Sequence, residues 1–261
     1  MQFSEVLGSM REQSGVWIAD VGHDWMQGRS VFGGLQAAIA WRAMRSLVPA
    51  EIPLRTLQTT FISTVPEGRV SVRARVLRTG KSAIQVEARI GEGDESLCVV
   101  SGVFGAARES SVSISPSQPP APEGKPIDFG FVAGVTPRFT QHLPMRWLLG
   151  TPPYTSNPLT RNVIEVNMRD AGPVSEAHLL AIADAPPPVA LSMLKKPAPG
   201  SSMTWTMEFF AKDLPSLPLP GWRLDVEVVA AGEGYTSQSV MVWTPRGTLG
   251  AISRQSMVVF G

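Results

Sequence analysis

The sequence predicts an α+β fold made of two tandem copies of one unit, each a long helix followed by a run of antiparallel strands. Three observations predict it. Gly33 to Trp41 reads GGLQAAIAW and Glu176 to Asp184 reads EAHLLAIAD, a near copy of one apolar helix. Gly68 to Ile90 and Gly221 to Trp243 are matched segments of equal length, 153 residues apart. Both halves also hold strands of strict alternation, RVSVRARVLR at 69–78 and RLDVEVVAA at 223–231. Alternation of this kind marks antiparallel strands with one buried face.

The elements follow in chain order. Residues 3–13 can form a short helix, with Phe3, Val6, Leu7 and Met10 on one face, and Gly15 stops it. Residues 15–28 read as a strand or hairpin, with turn residues at Gly22 and Gly28. Ser30 to Val48 keeps helical periodicity through Leu35, Ala38, Ile39 and Met44. Gly33 and Gly34 stand at its start, where glycine lets a ligand or another backbone approach the free N–H groups of the first turn. Strands follow at 54–64, 69–78, 82–90 and 96–104, the last two separated by the loop GEGDE. Residues 105–137 are rich in Ser, Pro and Ala and read as a linker. The expected division is an N-terminal unit at 1–110, a linker at 111–137 and a C-terminal unit at 138–261. In the second unit, 161–168 is a strand, 175–194 contains the helix, and strands follow at 202–210, 223–231, 235–244 and 248–260. One strongly curved sheet can wrap such a helix. Two units joined edge to edge would give a continuous sheet with both helices on its concave side.

Composition narrows the function. Apolar residues make up 43% and charged residues 17%, the balance of a globular protein with a large core. The net charge is +1 with the signs mixed, so there is no electrostatic case for nucleic acid. One cysteine, Cys98, excludes an internal disulfide or a cysteine-rich metal site. No apolar stretch approaches the length that spans a membrane, and the N-terminus lacks a signal-peptide core. The expected location is the cytoplasm. Exposed sheet edges need cover, which makes a homo-oligomer the expectation.

The two copies differ where chemistry would sit. In the helices Trp41 of the first copy matches Asp184 of the second. In the last strand Val103 matches Gln255, and in the first long strand Thr56 matches Ser202. The second copy thus gathers an acid, an amide and a hydroxyl. Asp184 alone, before Ala-Pro-Pro-Pro, could open a turn. Gln255 alone could face solvent, and Ser202 alone is ordinary loop chemistry. The paired difference with Trp41 favours function. A carboxylate at the end of an apolar helix can orient and deprotonate a water, a contribution of ~10²–10⁴-fold. A hydroxyl and an amide can hold that water in register. Gly33 and Gly34 are candidate donors to a developing oxyanion or to the substrate, across the interface between copies. His178, in the second helix, reads first as a packed or hydrogen-bonded residue, and Cys98 as a buried strand residue. No Gly-rich phosphate loop, GxSxG elbow or HExxH pattern occurs.

This arrangement resembles the double-hotdog acyl-CoA thioesterases of the acyl-CoA thioesterase II type. VFGG at Val31 to Gly34 is similar to the family's first helix start. LLAIAD ending at Asp184, with VAL at 189–191, is similar to its second helix and catalytic Asp. GTLGAISRQSMV at Gly247 to Val258 is similar to its final strand, with Gln255 on the catalytic Gln. Ser202 falls where the family has Thr. The resemblance implies a double hotdog fold and hydrolysis of an acyl-CoA to free acid and CoA. It implies no metal, no cofactor and no covalent intermediate; coenzyme A enters as part of the substrate. The acyl chain is expected in an apolar tunnel beside the helices, with the CoA near the surface. Two other readings stay open: a non-catalytic module binding acyl-CoA or an acyl carrier, and a hotdog hydratase or dehydratase, for which His178 with Asp184 is the pair to consider.

Overall fold

The computed structural model describes residues 1–260. The first half contains α1 (Phe3–Gly8), β1 (Arg11–Gln13), β2 (Val16–Val21), β3 (Met26–Gln27), β4 (Ser30–Val31), α2 (Gly33–Arg45), β5 (Leu54–Phe61), β6 (Gly68–Thr79), β7 (Ala83–Ile90) and β8 (Cys98–Gly105). The second contains β9 (Ile127–Phe129), β10 (Met145–Leu149), β11 (Arg161–Val166), α3 (Glu176–Asp184), α4 (Val189–Met193), β12 (Gly200–Phe209), β13 (Trp222–Gly232), β14 (Tyr235–Trp243) and β15 (Leu249–Val259). Thirteen strands form one sheet in the order β1-β2-β6-β7-β8-β5-β12-β15-β14-β13-β11-β10-β9. From β2 to β11 the order is palindromic, so β5 and β12 meet at the pseudo-two-fold. This is the double hotdog fold that the resemblance implies.

Both long helices are enclosed rather than amphipathic. In α2 every residue from Gly33 to Ala40 is buried, and in α3 every residue from Ala177 to Ala183 is. A helix that is apolar on all sides belongs inside a core. The two helices pack against each other antiparallel, so the start of α2 lies at the end of α3. Small residues make this possible: a Cβ on Gly34 would stand 2.9 Å from the Cα of Ala181. The helical segment of the second copy breaks at Ala185–Pro188 and resumes as α4, because consecutive prolines supply no N–H to continue the ladder.

Within 111–137 only Ile127–Phe129 is regular, pairing with β10 at the far edge of the sheet. The rest of that segment is fastened at Pro119, whose carbonyl accepts from Arg223 Nη1 at 2.7 Å. No helix of the described residues is long and apolar enough to cross a membrane.

The sheet corrects the register read from sequence. Leu54 pairs with Phe104 and Ser202 with Met257, each beside the bulged residue of its strand, Arg55 or Met203. Leu54 is therefore the counterpart of Ser202, and Gly102 that of Gln255. Val103 does not match Gln255, nor Thr56 Ser202. A one-residue slip turns a strand side chain to the other face. Gly102 and Gln255 both face the helices: a Cβ on Gly102 would stand 3.4 Å from Met44 Cε of α2, and Gln255 reaches Asp184 of α3.

Candidate active site

Asp184 ends α3, Gln255 lies in β15, and Ser202 lies in β12 beside its bulge. The structure brings all three together. Gln255 Nε2 donates to Asp184 Oδ1 at 3.0 Å and to Ser202 Oγ at 2.8 Å. Both hydrogens of that amide are thus committed. Ser202 keeps its own hydrogen free to donate. All three side chains line a cleft of about 470 Å³, together with Gly33, Gln36, Phe61, Tyr154 and other residues.

The two glycines separate in role. The first-turn amides of Leu35 and Gln36 both reach Phe32 O, which leaves those of Gly33 and Gly34 without a backbone acceptor. The Gly34 N–H favours the carboxylate of Asp184. Gly33 lines the cleft, and a Cβ there would stand 2.7 Å from Asp184 Oδ2 and 3.1 Å from the Phe61 ring. Glycine at 33 therefore keeps open the space in front of the acid.

Asp184 keeps some exposure to the cleft, but protein crowds its carboxyl on nearly every side. Burial pushes it up to about 7, against the pull of Gln255 and the Gly34 N–H toward the ionised form. A carboxylate at that value can take and release a proton near neutrality. Ser202 is poorly placed as a nucleophile. Activating a serine needs a base in hydrogen-bond reach, and the Gln255 Nε2 that Ser202 contacts is a donor. The arrangement instead presents an acceptor, Asp184, and a free hydroxyl on either side of one amide, which suits a bound water.

His178 sits elsewhere. Its Nε2 lies 3.0 Å from Asp170 Oδ2 and its Nδ1 2.8 Å from Ser175 Oγ, at the start of α3. It does not line the cleft, so it forms no pair with Asp184. Asp170 also accepts from the Ser4 N–H and hydroxyl, which ties α1 to the second unit.

The position related to the site by the pseudo-two-fold is closed. Trp41, Leu54, Gly102 and Glu176 stand where Asp184, Ser202, Gln255 and Gly33 stand in the cleft. Glu176 accepts from Trp41 Nε1 at 2.8 Å and from the Leu54 N–H at 2.6 Å. A side chain fills the mirror of the space that Gly33 leaves free. Two supporting residues escape the sequence reading. Gln238, paired with Gln255 across β14 and β15, accepts from the Val189 N–H at 3.2 Å and fixes the start of α4. Gln36 donates to Val31 O at 2.6 Å and holds the strand leading into α2. Both are buried amides, and neither a glutamine in an apolar helix nor one in an alternating strand carries a mark of that in the sequence.

One polar site in a fused pair of hotdog units defines a class, and comparison with known proteins gives its membership. Residues 21–105 match the model of the acyl-CoA thioesterase N-terminal domain, and residues 114–259 that of the acyl-CoA thioesterase C-terminal domain. The chain belongs to the acyl-CoA thioesterase family. No curated protein sequence matches it. Among solved structures, it is similar to a conserved hot dog protein of unknown function from Alicyclobacillus acidocaldarius, with a TM-score of 0.87, 20% identity, and coverage of 99% of this chain and 98% of that one. It is also similar to an acyl-CoA thioesterase II from Mycobacterium marinum, with a TM-score of 0.76, 16% identity, and coverage of 100% and 97%. The dehydratase domain of PpsC from Mycobacterium tuberculosis shares the fold at a TM-score of 0.55 and 12% identity, over 98% of each chain. At such identities these likenesses establish the fold alone.

Proposed function

We propose that the protein hydrolyses an acyl-CoA thioester to free acid and CoA. The observation that carries this reading is the contact of Asp184, Gln255 and Ser202 through one amide nitrogen, beside the open space at Gly33. Asp184 accepts a proton from a water held between it and the Ser202 hydroxyl. The water oxygen attacks the thioester carbon, and the Gly33 N–H faces the developing oxyanion. The intermediate expels the thiolate as the carbon–sulfur bond breaks. Asp184 returns its proton to the sulfur. Gln255 keeps acid and hydroxyl in register throughout.

The displaced His178 weighs against hydration or dehydration, since no imidazole lines the cleft. Thiol release from short, medium, long and aryl acyl-CoAs tests the reading. Turnover by the wild-type protein and its loss in Asp184→Asn are expected. Binding without turnover at every chain length would favour an acyl-binding module instead.

A further inference from the structure

A second chamber of about 520 Å³ adjoins the cleft. Its walls include Met26, Phe129, Phe139, Met145 and Pro187, and Arg138 is the charged residue among them. That volume lies within the range of pockets that hold small ligands. The two spaces share Gln27, Tyr154, Pro188 and Leu191. On the thioesterase reading above, the acyl tail of the thioester enters this chamber, and we propose that Tyr154 and Leu191, which line both spaces, form a collar that sets the length of chain accepted. The inference rests on that reading.

The chemistry of the two spaces is complementary. The cleft is lined by Gln27, Ser30, Gln36, Ser63, Thr64 and Ser201 besides the three site residues, and by no lysine or arginine. Neutral hydrogen-bonding groups suit the amide-bearing arm of coenzyme A. The chamber is mostly hydrocarbon, which suits an alkyl tail.

Connectivity points the same way. The partition between the spaces is the Ala185–Pro188 segment, which begins directly after Asp184. Ala185 and Pro187 face the chamber, Pro186 faces the cleft, and Pro188 faces both. A carbonyl carbon placed at Asp184 therefore has its substituents at this wall. Three prolines lock the local backbone, and the Val189 N–H is tied to Gln238 Oε1 at 3.2 Å. The triple proline acts as a rigid divider.

The opposite side of the collar is held differently. Tyr154 has φ of 68°, uncommon for any residue but glycine. Its N–H donates to Leu191 O at 2.8 Å, and its hydroxyl donates to Ala198 O at 3.2 Å. Held strain of this kind collects at functional sites. Here it lies where the two spaces meet. The chamber's outer wall comes from residues 129–140, which lead into β10.

The test uses S-alkyl-CoA thioethers from ethyl to hexadecyl, which cannot be hydrolysed, with Kd read by calorimetry. For the wild-type protein, affinity should rise about fourfold per added methylene and then level off where the chamber is full. Leu191→Trp narrows the collar and should level off at shorter chains. Leu191→Ala and Tyr154→Ala open it and should level off at longer ones. Tyr154→Phe keeps the ring and should keep the wild-type profile. Each profile is read relative to that variant's own ethyl-CoA affinity, because Tyr154 and Leu191 also line the cleft. If Leu191→Trp does not fold, the two opening variants carry the test. One length profile common to every variant, or a flat one, overturns the proposal. A wild-type protein that hydrolyses no acyl-CoA overturns the thioesterase reading instead, and the thioether profile still decides the chamber.

Discussion

Replacing Asp184 by Asn is expected to end turnover and, at alkaline pH, to make the fold more stable. The carboxyl sits at about 7 in the folded protein and at 3.8 in its ordinary state. Between those values the unfolded chain has released this proton and the folded chain still holds it. The folded state binds more protons there, so stability falls as pH rises through the window and is level above it. At about 1.4 kcal/mol per pH unit, ionising Asp184 costs the fold about 4 kcal/mol above pH 7. Asn removes that cost. Against the neutral acid it forfeits something, because Gln255 Nε2 and the Gly34 N–H are both donors to this carboxyl, and Asn offers one acceptor oxygen where the acid offers two. The lost bond is worth about 1 kcal/mol. The net gain is about 3 kcal/mol, or roughly 6–12 °C in Tm for a chain of this size. At pH 4 the gain should vanish and the sign reverse slightly. Thermal melts of both proteins across this pH range, with thiol release measured on the same samples, check it. A Tm difference that does not change with pH would refute the buried-acid argument. Undiminished hydrolysis would remove Asp184 from the chemistry.

Four further outcomes are expected. Wild-type turnover should fall as pH drops below about 7, and Gln255→Leu, which deletes a donor to the carboxylate, should move that limb to higher pH and cost at least about tenfold in kcat/KM; the pH–rate profile reads both. Gly33→Ala places a methyl 2.7 Å from Asp184 Oδ2 and should cut kcat/KM at least about tenfold, as steady-state thiol release reads. Burial pushes the Cys98 thiol up to about 12, so a disulfide reagent at pH 8 should label it only after unfolding, as read by mass. At Asp170 burial opposes ionisation, but hydrogen bonds from His178 and Ser4 outweigh it and hold the carboxyl below its usual value. Its stabilisation is complete above the usual carboxylate range and lost as pH falls through the lowered value. Asp170→Asn should therefore cost about 2 kcal/mol at pH 7, the scale of hydrogen bonds to a charged group, shrinking in acid, as denaturant titrations at pH 7 and in acid would show.

Local pattern carried much of this reading. The apolar runs at 33–41 and 176–184 are helices because Ala, Leu and Ile at those positions bury on every side. The alternation at 69–78 and 223–231 is a strand period that survives any tertiary arrangement. Comparing one copy with the other isolated Asp184, Gln255 and Ser202, because a doubled scaffold supplies its own reference. That comparison failed at single-residue precision. Alternating strands look alike when slid along each other, and only the bulges at Arg55 and Met203 settle that Gly102 faces as Gln255 does.

What the sequence by itself determined is the doubled unit, its helices and strands, and the residue types of one polar site. What only the tertiary structure decided is how distant segments meet. The antiparallel packing of α2 on α3 brings the Gly33–Gly34 turn to Asp184, 150 residues later in the chain. The turn at Tyr154 and the wall at Pro186–Pro188 join to divide one cleft from a chamber. Periodicity is written by neighbours in the chain, whereas contacts between segments far apart in the chain depend on packing the whole core at once.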